Sequence, residues 1–541
     1  MAETAEIAIA GGAQGGTEFA GHHEAGPGAS RWRHYGLLLL ALVGTIFTVG
    51  NALVPVAAWI APLLMLRFVR RSPALPCLVL GALAYAVAHI LAWDGVLPFR
   101  GPTLYAVAGG VGLLFFVPVA VDRLLTSRLD GFAATLLFPT SWVVVEHLFM
   151  QAGFGTWSAV AYSQYGQLPL LQLLSVTGLS GITFLIGWLA STANAAWEGG
   201  WRAPARRPLL SCVMVIAAVL AAGGLRLALA VPEAPAVRIA GITVDNMDVF
   251  RNSWGPLSYG KPLTEAAAER ARPKARVLQD ELLARSRAEA RAGAKVVVWT
   301  EGNALVFKAD EAAFIRAGQA LARQEGIYLF MAMATMTPGR PLAENKVVLA
   351  DPQSRVHGQY LKSHPTPGEA SIKGDERMRM LETPYGRLAW AICYDFDYPA
   401  LISQAGRAGA DILIDPSWEN AGMTPLHSQM ASYRAIENGA ALFRPVNGGL
   451  GLAVDRHGRV LAAMDDRATK GRVKTLIANV PTSGGRTIYG RMGDLVPLVS
   501  AGLLFLLGVA AARRPAPGRR QASRPAVPLD RQPRGSYFPA P

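Results

Sequence analysis

Apolar residues gather into long runs at about 37–54, 56–69, 76–93, 103–121, 132–150, 171–197 and 208–231, and once more at 495–512. Most of these runs reach the roughly 17 to 25 residues that cross a hydrocarbon core, so about eight membrane helices are expected, the second being the shortest. Between 232 and 492 the pattern changes. Short β-branched runs at 237–244, 295–299, 327–334, 346–350, 388–393, 411–415 and 441–445 alternate with stretches of helical period at 264–292, 310–325 and 424–438. Such alternation predicts an α/β domain with helices against the outer faces of its sheets, and its length is enough for a full core. The expected organisation is a tail over 1–34, a helical bundle over 35–231, the inserted domain over 232–492, a last span over 493–512 and a second tail over 513–541. Both tails lack periodicity and are expected to be disordered, and the first lacks the basic and apolar regions of a cleavable leader.

Charge changes the picture by giving the helices a direction. The formal net charge is +14, but the arginines are not spread evenly. Arg67, Arg70 and Arg71, then Arg123 and Arg128, then Arg202, Arg206 and Arg207 fall in alternate loops, and Arg513, Arg514, Arg519, Arg520 and Arg524 follow the last run. Basic loops stay on the cytoplasmic side, so the inserted domain is expected outside the cytoplasm, on a multi-pass protein of the cell (inner) membrane. The positive charge is a topology signal, and no zinc-finger spacing, helix-turn-helix or RNA-binding aromatic pattern points to nucleic acid. Three cysteines are too few for a disulfide scaffold. Cys77 and Cys212 lie in apolar runs, which leaves Cys393 as the one thiol of the outward domain.

Cys393 ends an apolar, strand-like run, where packing holds a side chain rigid while the loops beyond form a cleft. A buried Cys is often only a small core filler, so its company decides. Glu301 follows the strand-like stretch 296–299, and Lys362 follows 359–361. Each alone reads as a helix cap or a solvated loop residue. Together the three make a reaction: a carboxylate takes the thiol proton, the thiolate attacks a carbonyl, and the ammonium with the Tyr394 N–H stabilises the oxyanion. Neither a ligand cluster nor a phosphate-cradling loop accompanies them, so no metal and no other cofactor is expected. Glu146 and His147, inside an apolar run, are expected to pair within the bundle. Gly153, Gly155, Gly178 and Gly181 are expected to permit close packing.

The contexts WTEG around Glu301, YLKSHPTPGE around Lys362 and AICYDFDYP around Cys393 resemble the carbon-nitrogen hydrolase (nitrilase) superfamily. Phe138-Pro139 with Trp142 and Glu146, Ala161 to Gln164, Gly178 to Gly181, Trp418, His427 to Glu437, Arg444 to Gly449 and Arg486 to Gly490 extend the likeness to the apolipoprotein N-acyltransferase family. The resemblance implies an α-β-β-α sandwich with a Glu-Lys-Cys triad. Glu301 corresponds to the general base, Lys362 to the charge-stabilising lysine, Cys393 to the nucleophile and Glu369 to a second essential glutamate; Tyr394, Asp395 and Trp418 are expected at the substrate. It also implies a phospholipid acyl donor, a Cys thioester and a lipoprotein amine as acceptor. The chain departs from the family pattern in Asp395, where the family carries Glu, and in passing from Glu369 to Cys393 in 24 positions without a long apolar arm. That shortening favours a membrane-tethered amidase as the alternative. A third reading, a non-catalytic lipid- or partner-binding paralogue, is opposed by the intact triad.

Overall fold

The computed structural model describes residues 27–230, 235–253 and 255–514. Most of the two expected tails lies outside the described residues, although the first helix already begins at Pro27. Helices stand at all eight expected places, beginning with Pro27–Ile46 and Pro55–Arg71. Six are long and apolar enough to cross a membrane: Ala74–Trp93, Pro102–Arg128, Gly131–Phe154, Leu179–Glu198, Ala203–Leu229 and Leu495–Ala512. The run expected at 171–197 is not one helix. It breaks at Gly178, whose φ is +61°, because a Cβ there would meet the Tyr489 ring at 2.4 Å. The residues before the break fold as two short turns beneath the inserted domain, where Gln172 Nε2 donates to the His457 carbonyl at 3.0 Å. At the opposite end of the bundle Arg70 grips the buried Asp122 through two 2.8 Å hydrogen bonds, an interaction that needs both charges because neither would be stable there alone.

The inserted domain contains strands β1 (Ala236–Val244), β2 (Val296–Trp299), β3 (Ala304–Phe307), β4 (Tyr328–Met336), β5 (Glu344–Ala350), β6 (Val356–Leu361), β7 (Arg379–Thr383), β8 (Gly386–Trp390), β9 (Ile412–Ile414), β10 (Ser417–Trp418), β11 (Ala441–Arg444), β12 (Val446–Asn447), β13 (Leu450–Val454), β14 (Val460–Asp465) and β15 (Val473–Pro481). One sheet has the order β15-β1-β2-β4-β5-β6, with β3 beside β4; the other has the order β14-β13-β11-β9-β8-β7. The central strands of both are parallel and largely apolar, as strands buried on both faces tend to be. Helices Glu265–Arg291 and Glu311–Glu325 cover the first sheet, and Pro399–Ala408 and Leu426–Asn438 lie on the side of the second, giving the expected α-β-β-α layers. The inner faces meet through Phe330 and Trp390, edge to face at 5.4 Å. Gly241 lets them approach: a Cβ there would stand 2.5 Å from Pro445.

This domain sits on the loops at one end of the bundle. Tyr398 donates its hydroxyl to the Gly153 carbonyl at 2.6 Å, Thr156 donates its N–H to the Asp397 carbonyl at 3.0 Å, and Tyr433 donates to the Ala161 carbonyl at 3.1 Å. Glu146 is paired inside the bundle as expected, accepting from Val160 N–H and the Thr183 hydroxyl.

Candidate active site

Glu301, Lys362 and Cys393 each follow a strand, and all three are almost completely buried. Lys362 Nζ lies 2.7 Å from Glu301 Oε1 and 2.7 Å from Glu369 Oε2. Asn345, from β5, bridges the same two carboxylates at 2.7 and 2.9 Å. The Trp418 peptide ties the base to the sulfur: its N–H donates to Glu301 Oε2 at 2.9 Å, and its carbonyl accepts from Cys393 Sγ at 3.5 Å. The three strand ends therefore converge at one place. Oε1 of Glu301 is shared by Lys362 and Asn345, while Oε2 accepts from the same residue whose carbonyl the thiol meets.

Cys393 does not stand in the strand, as the run 388–393 suggested. β8 ends at Trp390, and Cys393 opens a 3-10 turn, Cys393–Asp397, with φ at +49°. This left-handed backbone is costly for a side chain with a Cβ and persists only where surrounding contacts enforce it. The enforcing contact is a hydrogen bond from the Cys393 N–H to Asp415 Oδ1 at 2.8 Å.

Asp395 has a different role from the one expected. It is fully buried and accepts from Tyr360 OH, Ile392 N–H, Ser363 N–H and His364 N–H, so its oxygens are spent on protein donors rather than on a substrate. By joining the residues after Lys362 to the turn at Cys393, it sets the spacing of the triad. His364 stacks on Tyr398 with centroids 3.6 Å apart. Tyr394 packs edge-on against Tyr398 at 5.4 Å, and the half-buried Trp418 stacks on Phe250 at 5.8 Å.

The electrostatics follow from burial among like and unlike charges. Burial pushes the Cys393 thiol well above its ordinary value and Glu301 adds to the rise, so the resting nucleophile is a neutral thiol. Burial alone would depress the Lys362 ammonium, but Glu301 and Glu369 outweigh it and keep the cation. Burial would likewise raise Glu369, yet Lys362 prevails and holds that carboxyl at about 2. The arrangement is a protonated thiol beside a carboxylate able to accept its proton, with a permanent cation where an oxyanion would form.

Residues 266–488 match the carbon-nitrogen hydrolase family model, and residues 36–192 match the apolipoprotein N-acyltransferase N-terminal domain. An apolipoprotein N-acyltransferase of Geobacter metallireducens is 27% identical over 399 residues, covering 68% of this chain and 72% of the relative. One of Bradyrhizobium diazoefficiens is 26% identical over 458 residues, covering 78% and 80%. The chain belongs to the apolipoprotein N-acyltransferase family. It is thus a multi-pass membrane enzyme of the carbon-nitrogen hydrolase superfamily. A solved structure of a Nesterenkonia AN1 amidase from the nitrilase superfamily is similar with TM-score 0.36 and 19% identity, covering 46% of this chain and 93% of that one.

Behind the triad of this family member lies a second, deeper polar cluster that sequence reasoning missed. Arg444 pairs through Nη1 with Asp415, lies 2.8 Å from Glu419 Oε1 and 3.0 Å from His427 Nδ1, and donates from Nε to Ser428 at 3.1 Å. His427 Nε2 stands 3.0 Å from Asp397 Oδ2. Burial alone would depress the imidazole; Asp397, with Glu419 beside it, outweighs burial and the Arg444 cation and lifts His427 to about 9. A raised value means that this group stabilises the fold fully below its unfolded value of 6.5, and that the contribution is lost as pH climbs through 9. The unfolding midpoint of the detergent-solubilised protein is therefore expected to fall between pH 6.5 and 9, by the equivalent of about 3 kcal/mol at most. The check is a calorimetric series against His427→Gln, in which that part of the slope should vanish; an unchanged slope would remove the assignment. Asn345 and Asp415 were legible only as polar residues at the ends of apolar runs, the same signal that singled out Glu301.

Proposed function

We propose that the chain transfers a fatty acyl chain from a membrane phospholipid, through a Cys393 thioester, to the amino-terminal amine of a diacylglyceryl-modified lipoprotein cysteine. The observation that carries this reading is the Trp418 peptide, which joins the Glu301 carboxylate to the Cys393 sulfur while Lys362 sits 2.7 Å from that same carboxylate. In the first half, Glu301 Oε2 takes the thiol proton as sulfur bonds to the ester carbonyl carbon. The Lys362 ammonium and the Tyr394 N–H, one of the first amides of the turn and without a partner inside it, receive the oxyanion. Collapse breaks the ester C–O bond, and Glu301 returns the proton to the departing lysophospholipid alkoxide. In the second half the acceptor amine forms the C–N bond, the C–S bond breaks, and the amine proton leaves through Glu301 to restore the thiol.

The placement of the domain supports lipid substrates. It rests on the bundle end opposite Arg67 and Arg70, which by the positive-inside rule is the extracytoplasmic face of the inner membrane. Both substrates are held by lipid in that same plane, so a tethered site meets them at high effective concentration.

The test uses the purified full chain in mixed micelles with phosphatidylethanolamine. Intact-mass and peptide analysis should find one acyl chain on Cys393, discharged when a diacylglyceryl lipopeptide amine is added. Glu301→Gln, which keeps the shape but cannot take the proton, should slow adduct formation by about 10² to 10⁴. Turnover of small amides without any lipid adduct would instead select the amidase reading.

A further inference from the structure

The polar contacts behind Cys393 continue without a gap into the membrane bundle. The Cys393 N–H donates to Asp415, Asp415 pairs with Arg444, Arg444 and His427 share Glu419 Oε1 at 2.8 and 3.3 Å, and His427 meets Asp397 Oδ2. That same oxygen accepts the indole N–H of Trp157 at 2.9 Å, and the Asp397 carbonyl accepts the Thr156 N–H at 3.0 Å. Trp157 and Thr156 belong to the bundle loop that follows the span Gly131–Phe154. The Trp157 ring also packs on the His427 ring with centroids 5.5 Å apart. Four of the domain side chains in this series, Asp415, Arg444, His427 and Asp397, are each at most 1% exposed. Gly155 completes the fit, since a Cβ there would stand 2.9 Å from the Asp397 Cβ.

The geometry of the turn explains why such a series would matter. Cys393 holds an uncommon positive φ, so the direction of its sulfur depends on what grips the turn Cys393–Asp397 at its two ends. Asp415 grips the first residue through its N–H, and the bundle loop grips the last through Asp397. Arg444 and His427 connect the two grips.

We propose that Trp157, His427 and Arg444 are positioning residues through which the membrane bundle sets the attack geometry of Cys393. None of them touches the reacting atoms. For its turnover readout the inference rests on the acyl-transfer reading above, and a second readout is independent of it.

The full-length protein and its Trp157→Phe, His427→Leu and His427→Gln variants are compared in two assays: alkylation of Cys393 by iodoacetamide, followed on its own peptide, and kcat and KM for phospholipid and lipopeptide. Trp157→Phe removes one N–H and keeps an aromatic ring; it and His427→Leu should each lower alkylation rate and kcat by about tenfold, as a small misplacement of a nucleophile does, while KM for the phospholipid stays unchanged. His427→Gln, whose amide can still donate to Asp397, should recover most of the loss. A role confined to stability would lower the thermal midpoint and leave alkylation and kcat of the folded fraction at wild-type values, which overturns the proposal. If His427→Leu does not fold, Trp157→Phe decides alone. A wild-type protein that is alkylated but never acylated counts against the acyl-transfer reading, and the alkylation rates then still judge the relay.

Discussion

Cys393→Ala is expected to reduce acyl transfer by at least about a thousandfold, because Cys393 carries the only thiol among the described residues of the inserted domain and the covalent intermediate is a thioester. Glu301, Lys362 and Glu369 already hold one another through 2.7 Å contacts and do not need the sulfur for their geometry. The sulfur's own recorded contact is a 3.5 Å hydrogen bond to the Trp418 carbonyl. The loss should therefore appear in turnover and not in folding, with a cost of about 1 kcal/mol for the small void left behind. Steady-state transfer to a lipopeptide and a thermal melt of the same sample check both halves. Retained transfer at a tenth of wild type would mean that the chemistry runs without the thioester.

Arg444→Met should have the largest effect on stability. The guanidinium is fully buried and faces two buried carboxylates, Asp415 and Glu419. Burial pushes Asp415 up to about 6 even with Arg444 pulling it down, and Glu419 is held below its usual value against burial, with His427 and Arg444 both stabilising its charge. Replacing the cation with a thioether of similar length leaves Asp415 buried without its cation and Glu419 with His427 alone, a loss of about 3 to 5 kcal/mol. For a domain of this size that lowers the thermal midpoint by roughly 10 °C, read by near-ultraviolet circular dichroism in detergent. A shift of only a degree or two would mean that solvent reaches the cluster. The double variant Arg444→Met with Asp415→Asn should recover part of the loss, since the orphaned Asp415 charge is then gone.

The parts of this molecule that were legible beforehand are those where a single physical rule dominates. The apolar runs marked where helices lie because nothing but hydrophobic length was needed, although six of them, among the described residues, are long and apolar enough to span a membrane. The parallel strands β2, β4 and β9 were readable as short apolar runs, and Glu301, Lys362 and Cys393 stood out as reactive groups at the ends of such runs. The antiparallel β13, β14 and β15 were not found. β14 does carry a short apolar run, Val460 to Met464, but its residues are exposed or half-buried, so the run marks no core and was not read as a strand. Asp395 was expected at the substrate on the resemblance alone, whereas folding surrounds it with four donors that lie far from it in the sequence or in the adjoining backbone. The break at Gly178 was hidden because Tyr489, the ring that occupies its missing side chain, is more than three hundred positions away. Arg444 and His427 were visible only as parts of a familiar stretch, with nothing to say that they meet beneath the nucleophile.

The pairing of β1 with β15 sets how a domain of this bulk fits between two membrane segments. Ala236 lies opposite Pro481 in the antiparallel register, so the chain enters and leaves the sandwich side by side. To the helices on either side, some 245 residues amount to a hairpin tip with almost no span of its own. The two ends of the sandwich thus share one doorway, and the stretch 482–494 carries the chain from there to the last span, which packs on Gly131–Phe149.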